Sequence, residues 1–221
     1  MQSQIAVIGL GLFGSAVATT LAALDHHVLG IDIDEQMVNA HMHTLAEVVT
    51  VPEVNEAILQ SLSIAEYDTV VIGITDIEAS LMIAQMLRDL GVRHIVCKAK
   101  SAIHGKILSR IGVDRVIYPE RDMGIRVAQT LVAKNIIETI VLTSTQHVVT
   151  ARAPHSCIGQ PVGTIQWKTP NGVTVLAIQR DSEVFAHPGS TVEVHAGDIL
   201  VLLGRSDDLA ALLAEPTATE G

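Results

Sequence analysis

Aromatic residues make up 2% of these 221 residues, basic side chains number 14 against 24 acidic ones, and only two cysteines are present. The shortage of Lys and Arg runs along the whole chain: residues 1–135 hold 10 basic and 15 acidic side chains, residues 136–221 hold 4 and 9, and each part comes to −5 of the total −10. Neither part is a basic module, which argues against a surface built to track nucleic-acid phosphates. Cys97 and Cys157 sit among apolar residues with no CxxC or Cys/His spacing, so a disulfide framework or structural zinc site is not expected, and a reducing cytoplasm fits best. No internal repeat and no low-complexity segment stand out, apart from a loose tail from Glu215.

What the chain does have is apolar residues, 48% of the total, which argues against disorder and suits one large or two modest domains. From Ile5 to Leu24 no residue is charged, a length that approaches the roughly 20 residues of a membrane span. Gly9, Gly11 and Gly14 interrupt that run where a strand would turn into a helix, and Met1–Gln4 lack the positive start of a signal peptide. The expectation is a soluble cytoplasmic protein.

Short Val/Ile-rich runs at Ile5–Gly9, Val28–Asp32, Glu47–Val51, Thr69–Gly73, His94–Lys98 and Arg115–Tyr118 alternate with stretches of helical spacing at Leu12–Leu24, Ala57–Leu62, Ser80–Leu90, Ala102–Arg110 and Arg121–Ala133. That rhythm predicts an α/β, Rossmann-like doubly wound parallel sheet over residues 1–135. After Lys134-Asn135 the pattern changes: five of the seven prolines fall there, and Thr191–His195 alternates with period two as a half-buried strand does. Ala196-Gly197-Asp198 reads as a tight turn into the buried run Ile199–Leu203, and Ser206 as the cap of a final helix through Leu213. Residues 136–221 are therefore expected to form a second, small α+β, β-rich domain.

Gly9-Leu10-Gly11-Leu12-Phe13-Gly14 is a G-x-G-x-x-G between a predicted strand and a predicted helix, with Asp32 closing the next strand. The first glycine permits a tight turn, the second lets backbone N–H groups reach a pyrophosphate, and the third lets helix and strand pack closely. A phosphate would rest on the helix N-terminus, and Asp32 would accept from ribose hydroxyls and repel a 2′-phosphate. Lys98 and Lys100 end the fifth strand, where they either meet phosphates or form a solvated strand end. Glu120 either places a carboxylate beside a cation on phosphates or is simply a helix N-terminal acid. His41 and His43 in an extended segment have no third metal ligand at motif spacing. No nucleophile and base carry a local signature, so an NAD-dependent oxidoreductase, the second reading, lacks a proton-transfer residue in its second domain. A third reading is a stand-alone cyclic-dinucleotide or redox sensor.

The glycine motif, Ile31-Asp32, Ile77-Glu78-Ala79-Ser80, Lys98-Ala99-Lys100, Pro119-Glu120-Arg121-Asp122-Met123-Gly124 and the run from Ala196-Gly197-Asp198 to Gly204 come in an order and spacing that resemble the RCK family, regulators of potassium conductance. Within it the likeness is to cytosolic gating subunits of bacterial Ktr and Trk potassium uptake systems. The resemblance implies a non-enzymatic protein that forms dimers and an octameric ring at the inner face of the membrane, beneath a membrane-embedded potassium-translocating partner. It further implies that ATP and ADP favour different ring conformations, with NAD(H) a possible ligand.

Carried over by position, Gly9, Gly11, Leu12, Phe13 and Gly14 would surround phosphates and Asp32 the ribose, with Ile33 also at the nucleotide. Thr50 and Val51, with Gly73 and Ile74, would border the nucleotide. Lys98 would approach the phosphates, and Glu120 would hold Mg2+ or another cation there. The second domain resembles the RCK C-lobe, which in several relatives takes cyclic di-AMP, and Lys168 falls where an arginine would grip that ligand. Leu12 stands where relatives often carry an arginine that reaches a terminal phosphate, and Val51-Pro52-Glu53 departs from their Asn-Ala-Thr or Asp-Ala-Thr.

Overall fold

The computed structural model describes residues 2–132, 135–165 and 172–213, without the side chains of residues 129, 130 and 132. Two compact units meet in sequence between Glu120 and Arg121. In the first, β1 (Gln4–Ile8), β2 (His27–Asp32), β3 (Glu47–Thr50), β4 (Thr69–Ile72), β5 (Ile95–Lys98) and β6 (Arg115–Ile117) alternate with α1 (Leu12–Ala23), α2 (Glu35–His41), α3 (Glu56–Ser61), α4 (Ile77–Asp89) and α5 (Ala102–Ile111). The strands pair in parallel in the order β3-β2-β1-β4-β5-β6.

Both faces of this sheet are covered, which is why its strands read as continuous apolar runs. Successive residues of β1 serve opposite cores: Ala6 and Ile8 join Ile83 and Leu87 of α4 and Leu108 of α5, while Ile5 and Val7 join Ala18 of α1. Strand order reverses between β1 and β4, so a crevice opens at the carboxyl ends of these two strands. Side-chain caps set the helix starts. Asp34 accepts from Gln36 N–H at 2.8 Å, Asn55 from Ile58 N–H at 3.0 Å, Asp76 from Ala79 N–H at 2.8 Å and Ser101 from His104 N–H at 3.1 Å.

Two local expectations are corrected. His41 is the last residue of helix α2 rather than part of an extended segment, and its Nδ1 lies 2.7 Å from the Met37 carbonyl oxygen. The helix escapes a periodicity search because it is short and buries only Val38. Helix α4 starts at Ile77 rather than Ser80, because Asp76 supplies its cap.

Helix α6 (Pro119–Val132) begins at the end of the first unit, and its side chains from Glu120 to Ala128, with Leu131, are exposed. The division between the units thus falls in the first turn of α6, while the strand-helix rhythm of the sequence runs on through α6 to near residue 135. The second unit is a five-stranded antiparallel sheet, β10-β9-β11-β8-β7, built from β7 (Ile136–Val141), β8 (Gln146–Arg152), β9 (Thr174–Arg180), β10 (Glu183–Ala186) and β11 (Ile199–Arg205). Leu200 and Leu202 of β11, Val149 and Ala151 of β8 and Ile178 of β9 pack with Leu209 and Leu213 of α7 (Ser206–Leu213). Thr191–His195 is not a strand: only Glu193 bridges, to Pro161. The alternation there reflects burial, with Val194 enclosed and its backbone bonded to Gly159 and Gln160.

The turn at Ala196–Asp198 is pinned from within. Arg180 donates from Nε and Nη2 to the two oxygens of Asp198, each at 2.8 Å, and His195 N–H donates to the same carboxylate at 2.8 Å. Burial alone would raise the Asp198 pKa, but the bonds from Arg180 and His195 outweigh it and hold the carboxyl below its ordinary value. With the native value below the unfolded one, this contribution is complete above the unfolded value near pH 4 and is lost as the pH falls through the native one. Asp198→Ala is expected to destabilise this unit by about 3 kcal/mol, read as a lower denaturant midpoint. A midpoint equal to that of the natural chain would remove the pin from the account. Among the described residues no helix is long and apolar enough to cross a membrane.

Candidate functional site

The turn from β1 to α1 shows why its glycines stand where they do. Gly9 has φ +92°, and a Cβ there would meet Ile74 Cγ1 at 3.0 Å. At Gly14 a Cβ would lie 1.8 Å from the Gly9 carbonyl oxygen, so only glycine lets α1 approach the turn. Gly11 differs: it is the N-cap of α1, with nothing within 4 Å of a Cβ built there. The second glycine therefore leaves open the space in front of the helix's free N–H groups, as a site for an anion requires.

Asp32 fixes this turn. One carboxylate oxygen accepts from Leu10 N–H at 2.5 Å and the other from Asp34 N–H at 2.9 Å. Ser15 Oγ donates to the Leu10 carbonyl oxygen, closing the other side of the loop. A carboxylate has about four acceptor positions, so ribose hydroxyls remain within its capacity.

Around this loop lies a cleft of about 480 Å3 at the carboxyl ends of β1, β2 and β4. Of the residues expected at a nucleotide, Gly9, Gly11, Asp32, Ile33, Gly73 and Ile74 line it together. Leu12, Phe13, Gly14, Thr50, Val51, Lys98 and Glu120 are not in its wall. Leu12 stands 98% exposed and Phe13 packs on the α1 side of the sheet. Val51 is buried in the opposite core, and Thr50 is exposed. The cleft adds Pro52, Glu53 and Val54 after β3, and Thr75, Asp76 and Met82 after β4. The signal for the last group was present: a crevice at a switch point is walled by the helix that follows each of its strands, and Asp76 marks where α4 begins.

Lys98 and Glu120 have found each other. The amine of Lys98, largely buried, sits 2.6 Å from a carboxylate oxygen of Glu120, and that hydrogen bond holds the Glu120 carboxyl below its usual range. Nearby, Lys100 N–H donates to His104 Nδ1 at 3.2 Å, which leaves the Nε2 proton for Ser80 Oγ at 3.0 Å, and Ser80 Oγ donates to the Ile77 carbonyl oxygen at 2.9 Å. Burial lowers the His104 pKa, so this chain of bonds rests on a neutral imidazole and joins the ends of β5 and α4. Among the described residues no three of His, Cys, Asp and Glu gather as a metal site would require. Cys97 is buried and its pKa is pushed up to about 12, the opposite of a reactive thiolate. Lys168 lies outside the described residues.

Two family models match in tandem, the TrkA-N domain over residues 5–119 and the TrkA-C domain over residues 147–216. The chain belongs to the RCK family. Among curated proteins this RCK chain is similar to Ktr system potassium uptake protein C of Bacillus subtilis (strain 168), at 32% identity over 211 residues, 95% of this chain and 96% of the relative. It is likewise similar to Ktr system potassium uptake protein A of Vibrio alginolyticus, at 32% identity over 212 residues and 94% of each chain. Among solved structures the GsuK RCK domain superposes with a TM-score of 0.68 at 15% identity, over 99% of this chain and 49% of that one. The GsuK channel bound to NAD does so with 0.66 at 15% identity, over 100% and 41%. The RCK chain thus spans under half the length of the GsuK chains, and the likeness concerns the fold.

Proposed function

We propose that this RCK chain is the nucleotide-binding regulatory subunit of a potassium uptake system: a cytoplasmic protein, peripheral to the inner face of the membrane, that biases a potassium-translocating partner according to the adenine nucleotide it holds. The observation that carries the reading is the open position in front of Gly11, set beside a carboxylate that ties the same loop to β2. These residues fit an adenine nucleotide, with backbone N–H groups for a pyrophosphate and Asp32 for a ribose. A cation on the phosphates would draw on Glu120 only by displacing Lys98 from its carboxylate. The chain's own part is mechanical. A ligand bonded to both the Gly11 turn and Asp32 stiffens the link between β1 and β2, and differential affinity for two arrangements of the ring is what would shift their populations. Assembly into a homo-oligomeric ring draws support from α6, where Met123, Val127 and Leu131 at helical spacing are 54%, 46% and 77% exposed.

The test is to release and identify the nucleotide that copurifies with the chain, then titrate it into the natural protein and two Asp32 variants. Asp32→Ala is expected to lose roughly tenfold or more in affinity, and about 1–3 kcal/mol of stability because Leu10 and Asp34 N–H lose their acceptor. Asp32→Asn keeps one acceptor oxygen and is expected to fold while still losing affinity. Unchanged binding in a folded Asp32→Asn variant would move the ribose contact elsewhere.

A further inference from the structure

His104, in the first turn of α5, is 2% exposed, and both of its ring nitrogens are engaged. Nδ1 accepts from Lys100 N–H, a group that can only donate. Nε2–H donates to Ser80 Oγ, whose own proton goes to the Ile77 carbonyl oxygen. An added proton therefore has one place to go, Nδ1, where it would face the Lys100 N–H in a site closed to water. The free N–H groups at the start of α5 carry partial positive charge and oppose a cation there as well.

The charged and titratable groups on the surrounding elements do not relieve this. On α4, Asp76 is exposed and bonded to Ala79 N–H, Glu78 is exposed, and Arg88 is bonded to Asp114. On β5 and the loop after it, Cys97 stays a thiol, Lys98 is held by Glu120 and Lys100 is exposed. Lys106 and Arg110 of α5 are exposed too. At the end of β6 the Tyr118 hydroxyl approaches α5 so closely that a Cβ on Gly105 would lie 1.8 Å from it. Burial is accordingly what lowers the His104 pKa. A free imidazole is half protonated near pH 6.5, so this one is neutral at pH 7 and takes its proton further into acid.

The bonds of His104 end at the cleft. Ile77 and Ser80 belong to the first turn of α4, and Asp76, Ala79, Met82 and Ile83 of the same helix and its cap stand in the cleft wall. We infer that His104 is a proton-sensitive positioning residue for the cleft: neutral, it ties the first turn of α4 to the loop after β5, and its protonation frees that turn and weakens the ligand held there. The linkage is reciprocal, so a ligand in the cleft makes His104 harder to protonate.

That the ligand is a nucleotide rests on the reading above, so one arm of the experiment omits it. In the nucleotide-free full chain with isotope-labelled methionine methyls, the Met82 resonance, assigned through Met82→Leu, is followed by NMR from pH 7.5 to 5.8. It is expected to shift with pH in the natural chain and to stay in place in two variants. His104→Asn keeps an acceptor oxygen for Lys100 N–H but takes no proton, and Ser80→Ala keeps the histidine but cuts its bond to α4. In the second arm NAD+ is the probe, because its pyrophosphate lacks the terminal phosphomonoester that titrates near pH 6. Its affinity by calorimetry is expected to fall about twofold or more over the same interval in the natural chain and to stay level in both variants. A Met82 resonance that ignores pH, or that moves equally in folded His104→Asn, overturns the inference whatever the cleft binds. So does NAD+ affinity that is the same at both pH values. Failure of both NAD+ and ADP to bind at pH 7.5, with the Met82 resonance still titrating through His104, overturns the nucleotide reading and supports the hold of His104 on α4.

Discussion

Gly14→Ala is expected to abolish nucleotide binding and to cost the first unit about 3 kcal/mol or more. The new methyl carbon would lie 1.8 Å from the Gly9 carbonyl oxygen and 2.9 Å from its carbon, contacts that backbone cannot yield without driving α1 off the turn. The informative comparison is Gly11→Ala. Nothing stands within 4 Å of that methyl and φ is −64°, so folding tolerates it. Removing a glycine at a compatible position is even expected to stabilise by about 0.5 kcal/mol through the unfolded chain. Its methyl enters the space assigned to phosphate, so affinity is expected to fall while the melting temperature holds or rises. Thermal melts beside nucleotide titrations separate the two glycines. A Gly11→Ala variant that binds as the natural chain does would empty that space of its assigned role.

The second large effect concerns assembly. Leu131 is the most exposed of the large apolar side chains described on α6, so Leu131→Glu costs an isolated chain little. In an oligomer that covers the helix, the same carboxylate would be desolvated without a partner, a penalty of several kcal/mol that is counted at every copy of the interface. The expected result is a fall in solution mass by light scattering with the melting of each unit nearly unchanged. A variant that keeps the natural mass would show that α6 is not the assembling surface.

How far these arguments were legible beforehand depends on the residue. Gly9, Gly11, Gly14 and Asp32 announce themselves because a tight turn, an open position and a close helix contact each demand a specific residue at a fixed distance along the chain. The parallel strands announce themselves through burial on both faces. Helix α2 does not, since with only Val38 buried it shows no stripe, and its cap, Asp34, is bonded locally to Gln36. The alternation of Thr191–His195 was real but recorded burial rather than strand pairing, because the partner segment, 159–163, is itself a loop. Lys98 and Glu120 were each visible as isolated charges at strand ends. That one is bonded to the other follows only from the adjacency of β5 and β6, which brings the end of β5 beside the start of α6. Met82 and Asp76 reach the cleft through the packing of α4, and no spacing within α4 alone signals it.

The central claim is that a nucleotide in this cleft governs potassium movement through a partner. It is tested most directly by measuring potassium flux into vesicles that contain the membrane subunit of the cognate uptake system, with the chain supplied nucleotide-free, loaded with NADH, or loaded with ATP. Flux that depends on the presence of the chain, changes with the nucleotide loaded and loses that dependence in Asp32→Asn is the predicted result. Flux that is the same with every nucleotide and with none, from vesicles to which the chain demonstrably binds, would contradict it.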